Sequence, residues 1–137
     1  MRLEIRSPNR MLGYLNAPSP FDPEDWYDTK DIVEEKNGLY KIAGRVSDVI
    51  NVGGLKFMAS EVERVALEFP NVSLASAYSK RNPITGEHVE LKVQPTRDNL
   101  VDKEALTAYL RSKLQEHMMP KRITIEEVNV GHRFKKL

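Results

Sequence analysis

The sequence contains no cysteine, which excludes a disulfide framework and a thiolate-bound metal centre and fits a reducing compartment. Its charge has no dominant sign, since 21 Lys and Arg against 20 Asp and Glu leave a net charge of +1. No global field therefore draws nucleic acid, membrane or acidic partners, and the charges are interleaved along the chain. No run approaches the roughly 20 apolar residues that a membrane-crossing helix needs. The opening Met1-Arg2-Leu3-Glu4-Ile5-Arg6 lacks the apolar core of a secretory leader, so a cytoplasmic location is expected. His88, His117 and His132 are scattered without ligand spacing, and no metal site is expected. There is no Gly-x-Ser-x-Gly elbow, no dinucleotide fingerprint, and no glycine-rich phosphate loop ending in Lys-Ser or Lys-Thr. A self-contained catalytic set is missing.

What is present is an ordinary globular composition, 40% hydrophobic and 30% charged over 137 residues. That length suits one domain, or one small domain with a piece of another. Residues 1 to 6 alternate apolar and charged side chains, as a half-buried strand does. Residues 11 to 15 form a short apolar segment, and residues 16 to 25, with Pro18, Pro20 and Pro23, read as loop. Strand character resumes from Trp26 to Val33, and Asn37-Gly38 is a strong hairpin signal leading into Leu39 to Ala43. The first 45 residues thus read as antiparallel β structure.

Residues 44 to 63 organise the rest. A Gly-Arg pair (Gly44-Arg45) precedes a short apolar alternation, a Gly53-Gly54 corner and a helix start. Ser60 and Glu63 fit a capping box, and Val62, Val65, Ala66 and Phe69 recur at helical spacing until Pro70. The expected order is strand, glycine turn, amphipathic helix, which is also what any small α/β domain could use. Two strands follow, Ser73 to Tyr78 and His88 to Gln94, joined by a wide loop over residues 82 to 86. Asp102 is a plausible N-cap for a second helix with Leu106, Tyr109, Leu110 and Leu114 on one face, ended by Met118-Met119-Pro120. Residues 122 to 128 alternate as a last strand. From about residue 48 the predicted order is β-α-β-β-α-β, an α/β (α+β) unit of two layers with two helices on a small sheet.

The central stretch, Gly44-Arg45-x-x-Asp48-x-Ile50-x-x-Gly53-Gly54-x-Lys56 followed by Glu61-Val62-Glu63, resembles the domain-junction motif of the adenylate-forming ligase superfamily. That family comprises acyl-CoA synthetases, peptide-synthetase adenylation domains and luciferases. The segment from Arg6-Ser7-Pro8-Asn9 to Leu15-Asn16 is similar to the family's approach to its ribose-binding motif. Trp26-Tyr27-Asp28-Thr29-Lys30-Asp31 looks like that motif, usually Tyr-x-Thr-Gly-Asp, with Lys30 standing where glycine is usual. The resemblance implies that Asp31 accepts hydrogen bonds from the ribose hydroxyls of ATP; on its own it reads as a solvated strand-end acid. A carboxylate suits the task because it is acceptor-only and takes two O–H donors at once. Arg45 matches the arginine that contacts the nucleotide, where a guanidinium fork fits phosphate or ribose oxygens.

The resemblance further implies a hinge at Ser47, where the family usually has Asp or Lys, with Asp48 sharing the role. It makes Gly53 and Gly54 the bare backbone lining a tunnel for the pantetheine thiol; both also fit a tight turn. The family closes with a lysine that stabilises charge during carboxylate adenylation. Lys136 fits that position first, Lys135 second and Arg133 third, against a plain solvated basic tail. Residues 1–46 would be the tail end of a large N-terminal domain, its β subdomain, and 47–137 the C-terminal lid. The large domain's phosphate loop and acid pocket have no counterpart here, so the chain is expected to be a fragment, inactive alone. The implied activity of the whole is an ATP-dependent (Mg-bound ATP), AMP-forming ligation of a carboxylic acid to a thiol, coenzyme A or the phosphopantetheine of an acyl carrier protein. The competing expectation is a free-standing, non-enzymatic lid-like module that binds a carrier protein or a partner ligase.

Overall fold

The computed structural model describes residues 1–128. The chain divides into two compact units, Met1–Ser47 and a second that begins at Asp48. The first is a three-stranded antiparallel sheet of β1 (Arg2–Ile5), β2 (Tyr27–Lys36) and β3 (Leu39–Arg45), in the order β1-β2-β3. Asn37 and Gly38 both take positive φ, 54° and 75°, as a two-residue hairpin turn requires, and Lys36 pairs with Leu39 across it. The apolar segment of residues 11 to 15 forms no element, and Leu12 and Leu15 are fully exposed.

The second unit contains β4 (Val49–Val52), β5 (Leu55–Met58), α1 (Ala59–Leu67), β6 (Val72–Asn82), β7 (Gly86–Pro95), α2 (Lys103–Lys113) and β8 (Arg122–Ile125). Its five-stranded sheet runs β5-β4-β7-β6, and β8 joins β7 in parallel. The mixed α/β class expected from the sequence is the one observed; the element order is not. An additional strand, β5, stands between the glycine turn and the helix, so the order is β-β-α-β-β-α-β. Gly53-Gly54 is therefore a hairpin turn, with Val52 paired to Leu55, and not a strand-to-helix corner. The 82–86 loop is also tighter than expected, because β6 and β7 stay paired out to Asn82 and Gly86.

Strand β5 runs directly into α1, which moves the helix start and replaces the expected cap. Met58 is the N-cap, and the Glu61 carboxylate reaches back to accept its N–H at 3.1 Å. Ser60 lies within the first turn, and Glu63 instead accepts the Ala77 N–H at 3.0 Å, tying α1 to β6. The second helix begins as expected: the Asp102 carboxylate accepts the N–H groups of Glu104 and Ala105. It ends earlier than expected, at Lys113, and residues Glu116–Met118 form a separate 3-10 turn.

The core lies between the helices and one face of the sheet. Val62, Val65 and Ala66 of α1 and Leu106 and Leu110 of α2 pack with Ala75, Ala77, Val89, Leu91, Val93 and Ile123. Alternation in β6 and β7 leaves Ser76, Tyr78, Lys80, His88, Glu90 and Lys92 on the other face.

Candidate functional site

Strand β2 is irregular where the ribose motif was read. Against β1 the register shifts between Arg2↔Ile32 and Glu4↔Asp28, so residues 29 to 31 stand opposite Leu3 alone. Lys30 takes φ +64° within this bulge, the left-handed conformation that glycine adopts most readily. The amides displaced from the ladder are caught locally. The Asp28 carboxylate accepts the Lys30 N–H at 2.9 Å, and the Thr29 hydroxyl oxygen accepts the Asp31 N–H at 3.1 Å while donating to Leu3 C=O at 2.9 Å. Asp28 also pairs with the Lys30 ammonium at 2.8 Å and with Arg2.

A second register shift, between Ile32 and Val33 against β3, flanks Asp31 on its other side. Bulges of this kind re-aim the side chains beside them. Asp31 and Arg45 are then cross-strand partners, and Arg45 Nε donates to Asp31 Oδ1 at 3.2 Å. The same guanidinium donates from Nη2 to Thr29 C=O at 3.1 Å. The carboxylate keeps further lone pairs and the guanidinium further N–H donors, so the pair can still take up hydroxyl and phosphate oxygens. Sequence reading named both residues but not their pairing, nor the Thr29 carbonyl that orients the arginine.

Ser47 and Asp48 lie in a short 3-10 turn, Val46–Asp48, across the boundary between the two units. Gly53 and Gly54 have φ of 60° and 89°, and a Cβ on either would meet nothing within 4 Å. Turn geometry alone accounts for both glycines; no close packing does. The turn is held from the β6–β7 connection, where Gly53 N–H donates to Thr85 C=O at 2.9 Å and Val52 pairs with Gly86. One residue further back, Asn51 N–H donates to the Glu87 carboxylate at 2.8 Å. Lys135, Lys136, Arg133 and His132 lie outside the described residues.

Two other polar groupings stand on the second unit. Glu90, 6% exposed, accepts from Tyr78 Oη at 3.1 Å and pairs with Lys80 at 3.2 Å and His88 at 3.3 Å. Burial pushes its pKa up, but the bonds from His88, Lys80 and Tyr78 outweigh burial and hold it below the ordinary glutamate value. Burial and then the bond to Glu90 raise the Tyr78 phenol. Between α2 and the lead into β8, Lys103, Arg111, Lys121 and Arg122 line a cleft of about 620 Å³. None of these four forms an ion pair among the described residues. The described residues contain no cluster of three metal-ligating acids or histidines and no helix long and apolar enough to cross a membrane. His88 is engaged with Glu90, and His117 packs edge-on against Phe57 at 5.4 Å.

Comparison with known proteins fits this arrangement. No family model matches the chain. It is 32% identical over 127 residues to an oxalate–CoA ligase of Arabidopsis thaliana, covering 90% of this chain and 25% of that protein. Among solved structures, ATP-bound MatB from Rhodopseudomonas palustris superposes with a TM-score of 0.86 at 22% identity, over 98% of this chain and 28% of that one. The o-succinylbenzoate CoA synthetase of Bacillus subtilis, solved with its acyl-adenylate intermediate, gives a TM-score of 0.76 at 25% identity, over 91% of this chain and 26% of that one. The chain thus spans about a quarter of the length of the proteins it matches. Over nearly its whole length the chain is similar to part of these CoA ligases, and its solved neighbours include adenylate-forming enzymes.

Proposed function

We propose that this chain supplies the nucleotide-side contacts and the lid of an ATP-dependent, AMP-forming acid–thiol ligase. The observation that carries the proposal is the Asp31–Arg45 pair, two groups 14 residues apart that β2 and β3 bring to 3.2 Å, with Asp31 closing the stretch that resembles the ribose motif. Asp31 would accept the ribose hydroxyls, and Arg45 would hold the carboxylate in place while offering its remaining donors to nucleotide oxygens. Residues 1–46 would complete the β subdomain of an N-terminal adenylation domain, and 47–137 would form the lid. The division of the chain at Ser47 and Asp48 supports a hinge there.

In the first half-reaction an acid and Mg-bound ATP give an acyl-adenylate and pyrophosphate, with Lys136, or Lys135 beside it, supplying positive charge at the carboxylate and α-phosphate. The lid would then turn about Ser47 and Asp48, a form of gating, and present the Gly53-Gly54 turn to the thiol. The acceptor would be coenzyme A or a carrier-protein phosphopantetheine, whose phosphates suit a cleft lined by Lys103, Arg111, Lys121 and Arg122. The test joins the chain to an N-terminal adenylation domain and assays pyrophosphate release and thioester formation with Lys136→Ala and Lys135→Ala alongside. One of the two substitutions should abolish adenylation yet spare thioester formation from supplied acyl-adenylate. The chain alone should release no pyrophosphate above background with any common carboxylate.

A second reading is favoured by the self-sufficient core of the unit from Asp48 onward, which a free-standing module would also need. Such a module would dock on a carrier protein or a partner ligase without chemistry of its own. It would be preferred if neither lysine affected either half-reaction.

A further inference from the structure

Strand β4 is paired along its length with β5 but has little main-chain hold on β7. Its ladder with β7 consists of one pairing, Val52↔Gly86, because β8 occupies the same edge of β7 from Glu90 to Val93. Beyond Gly86 the acceptor for β4 is a side chain: Asn51 N–H donates to Glu87 Oε2 at 2.8 Å. The other carboxylate oxygen, Oε1, accepts from the Ser79 hydroxyl at 3.4 Å on the neighbouring strand β6. The backbone of Glu87 is anchored too, since its carbonyl accepts the Thr85 hydroxyl at 2.6 Å. Asn82 Oδ1 in turn accepts the N–H groups of Ile84 and Thr85, stiffening the loop that receives Gly53. The Gly53-Gly54 turn is thus registered at three consecutive residues, by Thr85 C=O, by Gly86 and by the Glu87 carboxylate.

We propose that Glu87 is a positioning residue for the thiol half-reaction: by holding Asn51 N–H it sets where the bare Gly53-Gly54 backbone stands. The inference rests on the reading of that turn as the thiol path. A carboxylate acceptor suits the place because it forms a stronger bond to a backbone N–H than a neutral group and does not itself need a place in the ladder. Glu87 makes no contact with substrate; it acts through the turn.

The experiment compares Glu87→Ala with Glu87→Gln, whose side-chain carbonyl can still accept the Asn51 N–H. Amide exchange in the full chain reads the clamp directly. Glu87→Ala should speed exchange at Asn51 and Gly53 about tenfold while Leu91 and Val93 in the core of β7 stay protected, and Glu87→Gln should restore most of the protection. In the chain joined to its N-terminal adenylation domain, Glu87→Ala should slow thioester formation from supplied acyl-adenylate about tenfold and leave pyrophosphate release within about twofold. Unchanged Asn51 exchange in both variants overturns the clamp. Faster exchange with an unchanged thioester rate overturns the positioning role. If the unsubstituted joined protein makes no thioester at all, the reading of the turn as a thiol path fails, whereas the exchange result still decides whether Glu87 clamps it.

Discussion

Asp31 and Arg45 face each other across β2 and β3, with Arg45 Nε 3.2 Å from Asp31 Oδ1 and its Nη2 3.1 Å from Thr29 C=O. Both side chains remain partly exposed, Asp31 by 26% and Arg45 by 49%, so the pair contributes about 0–1 kcal/mol to folding. Its value lies in holding an acceptor and a donor fork side by side. Asp31→Asn should therefore leave thermal unfolding nearly unchanged and weaken nucleotide binding about tenfold in the chain joined to an N-terminal adenylation domain. Calorimetric titration with ATP beside a melting curve separates the two effects; equal affinity would remove Asp31 from the site.

Lys30 provides a test of the bulge itself. At φ +64° a residue with a Cβ bears a backbone cost of about 1 kcal/mol that glycine avoids, while the exposed Lys30–Asp28 pair returns a few tenths. Lys30→Gly should be neutral to stabilising by up to about 1 kcal/mol, and Lys30→Val destabilising by about 1–2 kcal/mol because β-branching penalises positive φ further. Denaturant unfolding should rank Gly at or above Lys, and Lys above Val. Any other order would mean that Lys30 does not hold the left-handed conformation in solution.

The glycine turn separates geometry from ligand approach. Nothing lies within 4 Å of a Cβ at Gly53 or Gly54, so Gly54→Ala should cost only the strain of φ +89°, about 1–2 kcal/mol. Gly53→Asn places Asn-Gly in a turn that prefers it and should shift stability by no more than about 0.5 kcal/mol. If the turn lines the thiol path, the same Gly53→Asn protein should be slow in thioester formation despite its normal melting behaviour. Normal thioester rates would leave the glycines with a turn role alone.

Glu90 predicts an acid limb. Its folded pKa lies below the unfolded value, so its contribution is present above the ordinary glutamate pKa and is lost as pH falls through the lowered folded value. Glu90→Gln should flatten that limb. At neutral pH the substitution should cost about 1–3 kcal/mol, since Lys80 and His88 lose the negative charge of their shared buried partner. Unfolding midpoints measured from neutral pH down through the carboxylate range test both parts, and parallel curves for the two proteins would contradict the assignment.

The features legible in the residues alone are local ones. Asn37-Gly38 sets both positive-φ positions of its hairpin, Asp102 caps α2 through amides two and three residues on, and the spacings of Val62, Val65 and Ala66 and of Leu106 and Leu110 place the buried helix faces. Each rests on contacts within a turn or two of chain, which the residues involved specify themselves. The family motif in residues 44 to 63 was equally legible, because its residues lie in one run. The remaining features depend on contacts between distant segments. Strand β5 is four residues long, and Leu55-Lys56-Phe57-Met58 becomes a strand by pairing with β4, which also turns Gly53-Gly54 from a corner into a hairpin and moves the helix cap from Ser60 to Met58 and Glu61. The left-handed Lys30 follows from a register shift against β1, and Asp31 meets Arg45 only because β2 and β3 pair. Glu87 reaches Asn51 across 36 residues. Such contacts depend on register and strand order, which the whole sheet sets by burying one face in the core, and no short window of sequence contains that information.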